Sequence, residues 1–99
     1  MSGNRKERRA ARAEGFLDAA AFVKVADKFI ALANRESERV LPTELHNAFL
    51  FASARYSAFV ASSALPAADH EAFVAEMTTK YQLMLRQHLS APSLAKPQG

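Results

Sequence analysis

The sequence predicts an all-α fold, a three-helix bundle with flexible N- and C-terminal tails, and three observations carry that prediction. Apolar residues recur three and four positions apart in three separate stretches, the spacing that lines one side of an α-helix. No stretch shows the strict alternation of a half-buried strand. Pro42 and Pro66 fall between the stretches, where a residue with no N–H and a fixed φ stops one helix or starts the next.

The first helix is expected over about residues 16–39. Phe22, Val25, Ala26, Phe29, Ile30, Leu32 and Ala33 share one side, while Lys24, Asp27, Lys28, Asn34, Arg35 and Glu38 lie largely on the other. This is the pattern of an amphipathic surface helix. It should end near Val40 and Leu41, because Pro42 pushes the preceding residue out of the helical region.

Thr43 is the expected N-cap of the second helix, with its hydroxyl free to accept a first-turn N–H and Glu44 placed well for the helix dipole. In residues 45–64 the apolar positions spread around most of the circumference. Leu45, Phe49, Ala52, Tyr56 and Phe59 take one face, Ala48, Phe51, Ala54, Ala58 and Ala61 take others, and Leu50 and Val60 fall between. A helix of this kind is expected to be central, with Phe59 on its most enclosed face. The third helix should open at Pro66 or Asp69, with Asp69 and Glu71 in its first turn. Its buried stripe reads Phe73, Val74, Met77, Tyr81, Met84, Leu85 and His88.

At 99 residues one small domain is expected, since a second core would need roughly 50 residues more than the tails supply. The expected organisation is a basic flexible leader over 1–15, a helical domain over 16–89 and a flexible tail over 90–99. Hydrophobic residues make up 49% and charged residues 23%, too apolar for wholesale disorder. Cysteine is absent, so thiolate catalysis, zinc knuckles and iron–sulfur centres are excluded. The basic N-terminus is not followed by the apolar run of an export signal. The apolar stretch 48–64 contains Arg55 and four serines, against a membrane span. The expectation is a cytoplasmic protein with no membrane association.

The charge is unevenly placed. Residues 1–15 hold five basic and two acidic side chains, which accounts for the whole net charge of +3, and the rest of the chain is formally neutral. Arg5, Lys6, Arg8, Arg9 and Arg12 are therefore the candidate phosphate-binding residues, because guanidinium forks match phosphate geometry. No aromatic residue is interleaved to stack a base, and the competing reading is a solubilising tail.

Small residues crowd the second helix, and Ala54, Ala58 and Ala61 are the candidate subunit interface, since small side chains let helix axes approach closely. The competing reading is a monomer whose alanines face water. Arg55, mid-helix among apolar neighbours, is expected to reach solvent or a carboxylate. Asn34 and Arg55 are a candidate pair inside the core. His46, His70 and His88 are scattered without metal-ligand spacing. The three glycines stand at positions 3, 15 and 99, so no glycine loop cradles a phosphate, and no serine sits in a nucleophile elbow. No catalytic residue, cofactor or metal is expected.

The ending Phe-Ile-Ala-Leu-Ala-Asn over 29–34 and the pattern Ala-Ser-Ala-Arg-Tyr-Ser-Ala-Phe over 52–59 resemble the short proteobacterial family known only as domain of unknown function 3144. The resemblance covers about residues 16–89. It implies a small all-helical bacterial protein and brings no activity, cofactor or catalytic residue with it. The Arg-rich leader lies outside the family pattern. The functional expectation is a non-catalytic interaction or scaffold protein, self-associating as a homodimer or paired with another helical protein. The alternative is a nucleic-acid or ribosome-associated accessory protein that uses the leader.

Overall fold

The computed structural model describes residues 15–91 and contains, among them, three α-helices and no strand: α1 (Ala19–Glu36), α2 (Pro42–Ala64) and α3 (His70–Leu89). A 3₁₀ turn, Ala67–Asp69, joins α2 to α3. Except for Gly15, Ser90 and Ala91, the two expected tails lie outside the described residues. The all-α, three-helix reading is what the structure shows. The chain divides into two units between Glu38 and Arg39, one holding α1 and the other the α2–α3 hairpin.

Gly15 enters with φ of 93°, a left-handed value that suits a residue without Cβ. The helix then starts later than the apolar pattern suggests. Asp18, with extended backbone, is the N-cap, and its Oδ1 accepts the Ala21 N–H at 2.8 Å, satisfying a donor that the first helical turn leaves unpaired. The end also comes early. The Ser37 N–H donates to the Ala33 carbonyl at 2.9 Å and its hydroxyl to the Asn34 carbonyl at 2.7 Å. These bonds close the last turn several residues before Pro42 can act. On α1, Val25, Ile30 and Ala33 are half-buried while Phe22, Phe29 and Leu32 are exposed.

The expected cap at Thr43 is corrected. Leu41 is the N-cap residue, without a side-chain bond, and Pro42 is the first helical residue. Proline is favoured there because its ring holds φ at a helical value and the N–H it lacks would have been unpaired. At the other end the Leu65 N–H donates to the Ala61 carbonyl at 2.9 Å, and Pro66 prevents continuation. Pro66 caps the 3₁₀ turn, and Asp69 is the N-cap residue of α3. His70 Nε2 donates to the Leu65 carbonyl at 3.2 Å, tying the start of α3 back to the end of α2. The last turn of α3 carries Arg86 and His88, where positive charge opposes the negative end of the dipole. The Ser90 hydroxyl closes it on the Arg86 carbonyl at 2.6 Å.

Within the α2–α3 unit the expected enclosure of Phe59 is corrected. Among the described residues only Ala61, at 5% exposure, is buried. Phe59 is 61% exposed, so α3 does not cover the face of α2 predicted to be most enclosed. Helical periodicity identifies which residues share a face, but it contains no information on which face a neighbouring helix covers.

Candidate functional site

The hairpin leaves an open groove between its two helices, with a volume of about 460 Å³. From α2, Leu50, Ala54, Ser57, Ala58 and Ala61 line it; from α3, Phe73, Val74, Met77 and Tyr81 do. Both sets follow from helical spacing, since residues three, four and seven apart project to one side. Near the turn the α2 wall is built of Ala58, Ala61 and Ser62, and His70 stands beside them. Small side chains there let α3 come close enough to cover Ala61. Farther from the turn lies a second hollow of about 250 Å³, lined by His46, Phe49, Leu50, Ser53 and Tyr81. It shares Leu50, Ser53 and Tyr81 with the first, so the two form one groove, with small residues mainly on its α2 wall and large ones on its α3 wall.

All three candidate interface residues, Ala54, Ala58 and Ala61, lie on the groove side of α2. Ala61 is covered by the hairpin itself, whereas Ala54 and Ala58 remain exposed. The α3 stripe continues past the groove lining as Met84 and Leu85, both exposed. On the opposite side of α2, Tyr56 and Phe59 form a tilted ring pair, with centroids 5.8 Å apart and planes at 41°. Arg55 is exposed and makes no ion pair among the described residues. Its candidate partner Asn34 is half-buried on α1. The candidate leader residues Arg5, Lys6, Arg8, Arg9 and Arg12 lie outside the described residues.

The groove is largely apolar. Its walls are carbon with hydroxyls from Ser53, Ser57, Ser62, Thr78 and Tyr81 and the imidazoles of His46 and His70, and no lining residue is a Lys, Arg, Asp or Glu. Among the described residues, no group of three or more His, Asp or Glu side chains is placed to hold a metal. The one ion pair there, Lys80 with Glu76 at 3.6 Å, is an exposed neighbour pair along α3 of the kind that contributes little. Among the described residues, no helix is long and apolar enough to cross a membrane. Of the stripe expected to be buried on α3, Phe73 and Met77 are half-buried, while Val74, Tyr81, Met84, Leu85 and His88 are exposed. The spacing from Leu50 through Ser53 and Ser57 to Ala61 was the signal for the groove wall.

Fold and groove together define the class: a small all-α protein built around an open helical hairpin. The family described as protein of unknown function (DUF3144) matches residues 22–91, and the chain belongs to it. The matched segment takes in most of α1 and all of α2 and α3, and it begins after the Arg-rich leader. No curated protein and no solved structure matches the chain.

Proposed function

We propose that this chain is a non-catalytic helical interaction protein that works as a self-associated assembly, cytoplasmic and without a cofactor. One observation carries the reading. In the α2–α3 unit thirteen large hydrophobic side chains are exposed among the described residues and only one residue, an alanine, is buried. Scattered exposed hydrophobics are ordinary on any protein surface, but this many with so little core behind them favour a surface that another protein covers. A hairpin with so little burial gains little against a conformational entropy cost of about 1–2 kcal/mol per ordered residue, so on this reading association adds to the stability of the fold. Thermal melts followed by far-UV circular dichroism test this, because a coupled assembly gains stability by mass action. The midpoint should rise as protein concentration increases from low to high micromolar. A midpoint independent of concentration would count against the reading.

A second reading rests on the placement of charge. All of the net +3 lies in residues 1–15, which favours contact with phosphate backbones through Arg5, Lys6, Arg8, Arg9 and Arg12. Filter binding of nucleic acid to the full chain and to a chain lacking residues 1–15 tests it. Binding should weaken steeply with salt and disappear with the deletion; binding that survives the deletion ends this reading.

A further inference from the structure

We infer that two copies dock groove to groove as a twofold pair with their turns at opposite ends, so that α2 and α3 of each copy form a four-helix core. The inference rests on the self-association proposed above and adds the surface and the orientation.

The area is the first support. Phe49, Leu50, Val74, Tyr81, Met84 and Leu85 are each 40–52% exposed. Side chains of this size present on the order of 150–200 Å², so together they offer roughly 500 Å² of apolar surface per copy. A stable pair needs about 800 Å² per partner, of which about 65% is apolar in homodimers. The groove and the stripe that continues from it meet that requirement without any other face.

Charge sets the orientation. The turn end, residues 61–75, contains Asp69 and Glu71 and no Lys or Arg. The open end of the hairpin, residues 39–48 and 83–91, contains Arg39 and Arg86 against Glu44. Turns together would gather four carboxylates, whereas turns apart set each acidic end beside a net basic one.

The absence of cysteine makes single spin labels clean. The test uses the full chain carrying a nitroxide at Ala67→Cys, in the turn, or at Ser90→Cys, just past α3, both exposed positions, with mass and helical content checked for each. In the Ala67→Cys pair, the spin-to-spin distance between copies should be about 30 Å or more, the length of a 20-residue helix at 1.5 Å per residue. Mixing the two singly labelled chains should add a component below about 20 Å, since packed helices lie 8–10 Å apart and the label arms add the rest. A short distance in the Ala67→Cys pair overturns the orientation. A dimeric mass with no short component in the mixture places the interface elsewhere, overturning this inference while self-association stands. A monomeric mass with no coupling between copies overturns both, and leaves the groove to α1 of the same chain or to a different protein.

Discussion

Replacing Ala58 by arginine separates a groove that another copy covers from one that faces water. Ala58 is exposed in the single chain and lines the groove. Alanine and arginine are both strong helix formers, differing by a few tenths of a kcal/mol. In an unassembled chain Ala58→Arg should therefore change stability by less than about 0.5 kcal/mol, the usual range for surface substitutions. In a docked pair the guanidinium enters an apolar groove with no carboxylate among its lining residues, and an unpaired buried charge costs on the order of 3–5 kcal/mol. The long side chain recovers part of that by reaching toward water, so the lower end applies. At about 3 kcal/mol, with 1.4 kcal/mol per tenfold, association weakens more than a hundredfold. Sedimentation velocity over a concentration series reads the change, with circular dichroism on the same samples. Thr79→Arg serves as the control, adding the same charge at an exposed α3 position outside the groove lining; it should leave the mass distribution as in the parent chain. An Ala58→Arg chain that associates as tightly as the parent refutes the groove as the interface. Equal weakening by both variants would show that added charge alone is responsible.

Three smaller effects follow from the same geometry. Asp18→Ala removes the acceptor for the Ala21 N–H and should cost about 1 kcal/mol in chemical denaturation, with faster hydrogen exchange at the amide of Ala21; unchanged exchange there would argue against the cap. Ala61→Leu inserts bulk at the one buried position and should cost about 1–3 kcal/mol by overpacking, whereas a stabilised variant would reveal unused space between α2 and α3. Phe59→Ala should cost about 2 kcal/mol, because only two fifths of a ring of roughly 200 Å² is out of water; a loss of about 4 kcal/mol would show that this side of α2 is covered in solution.

The number of helices and the faces they present were legible in the sequence, because Pro42 and Pro66 punctuate the chain and the apolar spacing within each stretch is regular. The ends were less legible where a side chain competes with the pattern. Asp18 and Ser37 trim α1 to 18 residues through local hydrogen bonds that periodicity does not register. Pro42 displaced Thr43 as the start of α2 because a preset φ needs no side-chain cap. At the candidate site, the density of small residues pointed correctly to the side of α2 that holds Ala54, Ala58 and Ala61. The sequence pattern did not convey that α3 would cover only Ala61 and leave the rest as a groove. Spacing encodes direction around a helix, whereas the gap between two helices depends on side-chain volumes along their whole contact. For the same reason Phe59 read as enclosed: its face is apolar, but α3 packs against the opposite side of α2.

Coverage of the α2–α3 groove by a second copy of the chain stands or falls on solution mass, which sedimentation equilibrium of the full chain reads. Over a dilution series in the micromolar range the weight-average mass should approach twice the 10.8 kDa of the chain and fall toward the single-chain value on dilution. A single 10.8 kDa species at every concentration would rule the pair out.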